Sequence, residues 1–225
     1  MAIAKKSKKS KSSSSEVKDA PVRIVTGKCR SSYMKVLQLV RPDGADENTP
    51  KTCSTSLFIP KKDKKTVKKI KAAIDAAARK RFGNDTKIFS TKKLRNPLHD
   101  GDELMADPES SIGKEAKGCY IVTAKGYKIP QVVNRQAERI TDFEELEEIC
   151  VSGYYFYFSL TFKAFDVDTQ QGKSRGVRCI LNNLMFVGEG ERLDGGKSAE
   201  EDFKDFAVES DDDEDDWDED DDLTY

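Results

Sequence analysis

The sequence predicts a mainly β domain with one prominent helix, a small closed barrel of five strands carrying long decorated loops and two disordered tails. Three observations lead there. Five segments alternate apolar and polar residues at a period of two. One segment, 61–83, repeats its apolar residues at helical spacing. The ends, residues 1–20 and 207–225, hold too few apolar residues to offset the cost of ordering a chain.

The elements follow in order. "PVRIVTGKCR" (21–30) reads as a strand with Ile24, Thr26, Lys28 and Arg30 on one face and Val25, Gly27 and Cys29 on the other. "YMKVLQLV" (33–40) continues extended, and "RPDGADENTPK" (41–51) is a loop of Pro, Gly, Asp and Asn. "TCSTSLFIP" (52–60) is a second strand, with Cys53, Thr55, Leu57 and Ile59 set against Ser54, Ser56 and Phe58. The helix over 61–83 has Asp63 as N-cap, Gly83 as stop, and Val67, Ile70, Ile74 and Ala77 or Ala78 facing inward. Its lysine-rich remainder reads as a solvated face. Residues 84–118 are loop-rich. "GCYIVTAKG" (118–126) is a third strand, "KIPQVVNRQ" (128–136) a short extended piece and "TDFEELEEI" (141–149) a short acidic helix.

"CVSGYYFYFSLTFKAFDVD" (150–168) is the strongest strand. Tyr154, Phe156, Phe158, Leu160 and Phe162 form a core face; Tyr155, Tyr157, Ser159, Thr161 and Lys163 form the other. A turn at 169–174 leads to the last strand, 175–191, with Val177, Cys179 and Leu181 inward and Arg178 exposed. Five strands, one helix and long loops suit an OB-fold, a partly open five-stranded Greek-key barrel. The expected organisation is a basic Lys/Ser arm over 1–20, one domain over 21–206 and an acidic tail over 207–225.

Charge is strongly segregated. Residues 1–100 hold 26 Lys and Arg against 9 Asp and Glu, residues 101–200 hold 12 against 17, and residues 201–225 hold 1 against 15. The first 200 residues thus carry +12 and the last 25 carry −14. A basic body points first to phosphate backbones. No run approaches the roughly 20 apolar residues of a membrane span, and the lysine-rich start is not followed by the apolar run of a secretory signal. A soluble, cytoplasmic protein without membrane contact is expected. Five widely spaced cysteines (Cys29, Cys53, Cys119, Cys150, Cys179) and one histidine suit buried, reduced thiols rather than a zinc site, and no metal or cofactor is expected.

Single-stranded nucleic acid asks for cations along a backbone track and rings for unpaired bases to stack on. The candidate DNA-binding residues are Lys28 and Arg30 on the first strand, Tyr33 following it, and Lys92, Lys93 and Arg95 in a loop. Arg135, Tyr155, Tyr157, Lys163 and Arg178 complete the set. For Tyr155 and Tyr157, cross-strand packing under a loop is the plainer alternative. The acidic tail, tethered to a cationic groove at about millimolar effective concentration, reads as an internal competitor for that groove. Trp217 and Tyr225 within it would be aromatic anchors for a partner.

The body resembles a family of phage single-stranded DNA-binding proteins with an OB-fold and an acidic C-terminal tail. The resemblance lies in "VTGKCRSSYMKV", "SLFIPKKDKKTVKKIKAAIDAA", "LRNPLHDGDE", "GCYIVTAK", "PQVVNR", "SGYYFYFSLTFKAF" and "RGVRCILNNLMFVGEGERLDGG", in this order. It implies a non-enzymatic protein that coats single-stranded DNA in phage replication, recombination and repair, in the host cytoplasm. It also implies tail contacts with phage or host replication proteins, and a homodimer is compatible with it. Two features depart from the pattern: the Lys/Ser arm is longer, and the tail closes on Tyr225 where such tails commonly end in Phe. Two other readings stay open. Asp100, Asp102 and Glu103 in "HDGDE" could hold Mg²⁺ in a nuclease, although the same residues suit a tight turn. A duplex-binding architectural protein would need the cations but not the tyrosines.

Overall fold

The structure is a computed structural model that describes residues 22–41, 44–83, 94–110, 112–169 and 172–193. The chain divides into two units, Met1–Asp194 and Gly195–Tyr225, and every described residue belongs to the first. Eight strands form it: β1 (Val22–Val25), β2 (Cys29–Val40), β3 (Thr52–Pro60), β4 (Leu98–Asp100), β5 (Cys119–Gly126), β6 (Gln131–Val133), β7 (Tyr155–Thr169) and β8 (Gly172–Gly188). Among the described residues three helices accompany them: α1 (Lys64–Phe82), α2 (Gly101–Ala106) and α3 (Phe143–Ile149).

Five of these strands close a barrel. β2 pairs antiparallel with β3 and β3 with β5; β5 pairs in parallel with β8; β8 pairs antiparallel with β7, and β7 returns to β2. This is the OB-fold connectivity: four of its strands are expected alternating segments, and the first, β2, runs mostly over the stretch expected only to continue extended. The inward rows are the expected ones: Cys53, Thr55, Leu57 and Ile59 on β3, Phe156, Phe158, Leu160 and Phe162 on β7, and Val177, Cys179 and Leu181 on β8 are all buried. The short strands β4 and β6 add to β5 and β8. Within the stretch expected to be loop, β4, α2 and a 3₁₀ turn at Lys114–Ala116 cover Phe58 and Ile121 in a second, smaller apolar cluster.

The first strand departs from the expected alternation. β1 pairs with β7 as Val25↔Ser159, and β2 as Cys29↔Phe156. Four steps along one strand thus oppose three along the other, so one extra residue is bulged into 26–28. The bulge shifts the inward phase from Ile24 and Thr26 to Cys29 and Ser31, so Lys28 and Arg30 leave the face they were expected to share with Ile24 and Thr26. Thr26 is buried there, its hydroxyl accepting from the Phe158 amide at 3.0 Å. The Gly27 amide donates to the Thr66 hydroxyl at 2.9 Å, which docks the bulge on the start of α1. A Cβ at Gly27 would lie 2.6 Å from that hydroxyl.

α1 begins where Asp63 accepts from the Thr66 amide at 3.0 Å and ends at Gly83, with φ of 78°. Its buried side, Val67, Ile70, Ala73, Ile74, Ala77 and Ala78, joins the barrel's own core. The helix is therefore the plug of one barrel end. All five cysteines are free thiols, and four are buried. Burial pushes the Cys29 and Cys150 thiols up to about 12, so neither is a ready nucleophile near neutral pH.

The cap predicts a measurable effect. The Thr66 hydroxyl and amide beside Asp63 hold its carboxyl below the ordinary value of 3.8. A group with a depressed folded value stabilises above its unfolded value and loses that contribution as pH falls through the folded one. Asp63→Ala should cost about 1 kcal/mol near neutrality. In urea melts the gap from wild type should narrow below about pH 4, where the unfolded carboxyl protonates; a gap that is constant with pH contradicts the assignment.

Candidate nucleic-acid interface

In an OB-fold the outer face of the second and third barrel strands, with the loops that flank it, is the ligand surface. Here those strands are β3 and β5. Their outward positions include Ser54, Ser56, Thr123 and Lys125, in the register Ser54↔Lys125 and Ser56↔Thr123. The Ser56 and Thr123 hydroxyls share a hydrogen bond of 3.0 Å. β5 and β8 align Ala124 with Cys179, so one step back Thr123 lies beside Arg178. β8 and β7 in turn set Arg178 opposite Lys163. A row of hydroxyls and cations, Ser56–Thr123–Arg178–Lys163, thus crosses four barrel strands. The next row adds Lys125.

Two like charges directly opposite each other on adjacent strands destabilise a sheet. Among the described residues, none of Lys125, Lys163 and Arg178 has an ion-pair partner. Arg178 instead donates to the Tyr127 hydroxyl at 3.3 Å, with its guanidinium 5.9 Å from the ring centroid. Tyr127 is 47% exposed and Ile129, two residues on, is 54% exposed. An uncompensated cationic row with an open ring at its edge is what a flexible anion carrying flat bases can satisfy.

The structure sorts the sequence-predicted residues into groups. Tyr155 lies between Arg30 and Gly188 in register. Lys28 Nζ sits 4.2 Å from its ring centroid. A Cβ at Gly190 would meet the same ring at 2.8 Å, so Tyr155 is a packed ring, half-buried. Arg30 donates Nε to the Gly153 carbonyl at 3.1 Å and Nη2 to the Glu191 carbonyl at 2.5 Å, which ties down the chain just past β8. Arg135 donates to the Val187 carbonyl nearby. Tyr33, 53% exposed, sits at a register break in β2 with φ of 48°. A non-glycine side chain held there marks local strain.

The second group is Lys163 and Arg178, about 26 Å along β7 from Tyr155 at roughly 3.3 Å per residue. Arg95 joins this end: its backbone bridges Gly176, donating to the Arg175 carbonyl at 2.8 Å and accepting from the Val177 amide at 3.0 Å. Only glycine fits at 176, because a Cβ would lie 2.4 Å from the Arg95 carbonyl. Tyr157, 36% exposed, lies between the two groups. Lys92, Lys93, Trp217 and Tyr225 lie outside the described residues. Sequence reasoning missed Thr123, Lys125 and Tyr127, although "TAKGY" shows them at the same period of two that revealed the strand.

The carboxylates of "HDGDE" have other work. Asp100 caps α2 by accepting from the Asp102 amide at 3.0 Å, and Asp102 accepts from the Gly118 amide at 2.8 Å. Lys61 bridges both, at 2.5 and 2.7 Å. Asp100 and Asp102 are therefore already ion-paired and hydrogen-bonded as a turn.

A closed OB-fold barrel whose outer face carries a row of cations and hydroxyls, with an exposed ring just past β5, fits the oligonucleotide-binding class of OB-folds. The chain belongs to the family described as Enterobacter phage Enc34, ssDNA-binding protein, which matches residues 22–217. That is a family of binding proteins, not of enzymes. No curated protein matches the chain in sequence. Among solved structures, it is similar to the single-stranded DNA-binding protein from bacteriophage Enc34 in complex with ssDNA. The two are 19% identical, with a TM-score of 0.57, over 76% of this chain and 89% of that one. It is also similar to gp2.5, a single-stranded DNA-binding protein encoded by bacteriophage T7, at 15% identity and a TM-score of 0.52, over 85% of this chain and 97% of that one. At these identities the likeness is one of fold.

The Lys61 bridge has a testable consequence. Lys61 beside them holds both Asp100 and Asp102 below the ordinary value of 3.8. Lys61→Met should raise both carboxyl pKa values, read by NMR titration. Because the folded values are depressed, the lost stability should be full near neutrality and should shrink as pH falls below the ordinary carboxyl value of 3.8 and through the depressed folded values. Unshifted titrations in the variant would contradict the bridge.

Proposed function

We propose that this protein binds and coats single-stranded DNA during phage DNA replication, recombination and repair, through the outer face of β3, β5, β8 and β7. The observation that supports this most is the unpaired row of Arg178 and Lys163 beside Thr123 and Lys125, with Tyr127 open at its edge. The cations hold the phosphate backbone without reading sequence. Bases released from pairing stack on the open rings Tyr127, Tyr157 and Tyr33, and the half-buried Tyr155 with Lys28 extends the track toward the start of β7. Arg135 holds the end of β8 and Arg30 the chain just beyond it, while Arg95 fixes the far end. Lys92 and Lys93, in the segment leading to Arg95, add charge to the same track.

The acidic residues of 207–225 compete with DNA for the cationic interface. When DNA displaces them, Trp217 and Tyr225 become available to phage or host replication proteins. The organisation we infer is a basic arm over 1–20, a DNA-binding domain over 21–206 and an acidic tail, acting in the host cytoplasm. Among the described residues no helix is long and apolar enough to cross a membrane.

Titration of labelled oligo(dT) and a matched duplex across several salt concentrations tests this. Tyr127→Leu and Tyr157→Leu should each weaken oligo(dT) binding by about 1–3 kcal/mol and leave duplex binding unchanged. Arg178→Ala should reduce the salt slope by about 0.7, one phosphate's worth for a single strand. A chain cut after Ala207 should bind oligo(dT) more tightly. Equal binding of duplex and single strand, with no effect of the tyrosines, would instead favour a duplex-binding architectural protein.

A further inference from the structure

A second basic surface lies away from the barrel's strand face. Lys64, Lys68 and Lys71 recur at i, i+4 and i+7 along α1, which places them in one stripe about 10 Å long. The stripe borders an open groove of about 550 Å³ whose floor is Val67, Ala72 and Tyr120. Lys71 Nζ lies 4.8 Å from the Tyr120 ring centroid. The acids around the groove are engaged elsewhere: Asp75 pairs with Arg79 at 2.9 Å, and Asp100 and Asp102 with Lys61. Among the described residues, Lys64, Lys68 and Lys71 have no ion-pair partner. Like charges at these helical spacings repel, so the bare stripe favours an anion. A cationic track above an aromatic floor is the pairing that single-stranded nucleic acid requires.

Tyr120 is on β5, three residues before Thr123 and five before Lys125. At about 3.3 Å per residue the groove therefore starts roughly 10–17 Å along the strand from the interface described above. Tyr120 has the inward parity of β5 and closes the plugged end of the barrel beside α1, whereas Thr123 and Lys125 face out.

We infer that the α1–Tyr120 groove is a second contact for single-stranded DNA: Lys64, Lys68 and Lys71 take phosphates, and Tyr120 takes a base, from the same strand that crosses the β3–β5 face. This rests on the single-strand reading above and extends its footprint around the plugged end of the barrel. An acidic peptide could use the same lysines, and the peptide measurement below separates the two occupants.

The test compares the full chain with Lys68→Gln/Lys71→Gln, two exposed positions, and with Tyr120→Leu. Two oligo(dT) lengths are titrated: about 6 nucleotides, within the reach of one OB face, and about 20. The double variant should bind the short oligonucleotide within about twofold of wild type. It should bind the long one about tenfold more weakly, with a salt slope smaller by about 1.4, two phosphates' worth. Tyr120→Leu should weaken only the long oligonucleotide. Long-oligonucleotide affinity equal to wild type in the double variant overturns the inference, as does an equal loss at both lengths, which would mean general steering. Loss of binding to a synthetic peptide of residues 209–225, with DNA binding intact, overturns it too and assigns the groove to acidic peptides. A wild-type chain that binds neither oligonucleotide sinks the single-strand reading itself.

Discussion

The double pairing of β7 is the constraint on which the rest depends. This one strand borders β1 and β2 on one edge and β8 on the other, so it is where the sheet closes on itself. Its inward rings, Phe156, Phe158 and Phe162, are fully buried and fill the barrel against the plug of α1. Period-two geometry then leaves no freedom for the other face: once the phenylalanines are inside, Tyr157, Ser159, Thr161 and Lys163 must be outside. Packing thus sets where the polar face points. A slip of one residue would bury Lys163 and expose the phenylalanines.

Closure also explains the irregularities. A barrel strand that serves two neighbours has to bend, and the extra residue at 26–28 supplies the bend on the first strand. The fold uses it as a socket, since the Gly27 amide and Thr66 hydroxyl tie the bulge to α1. Tyr33, at the next register break, is turned outward by the same curvature.

Much of this was legible in the sequence. Four of the five barrel strands, the inward rows of β3, β7 and β8, and both ends of α1 follow from alternation, helical spacing and capping chemistry. The bulge was not, because a one-residue phase change within "RIVTGKCR" preserves a plausible alternation and only the partner strand reveals it. The interface was half legible. Lys163 and Arg178 were found as exposed positions on separate strands, but their direct opposition is a matter of register. Thr123, Lys125 and Tyr127 were passed over because charge counting rewards clusters, whereas a sheet assembles its cluster from residues distant in sequence. Tyr155 and Tyr157, alike in sequence, separate only in three dimensions: one packs under Lys28 and Gly190, the other stays open.

The central claim is that single-stranded DNA lies on the outer face of β3, β5, β8 and β7. Ultraviolet cross-linking of oligo(dT) to the full chain, with the joined residues located by mass spectrometry, tests it most directly. Cross-links at Tyr127 and Tyr157, and in the segments holding Lys125 and Arg178, are the predicted result. Cross-links absent from these strands and confined to the residues of 1–20 would contradict it, since DNA would then be held by charge in the arm and not by the barrel.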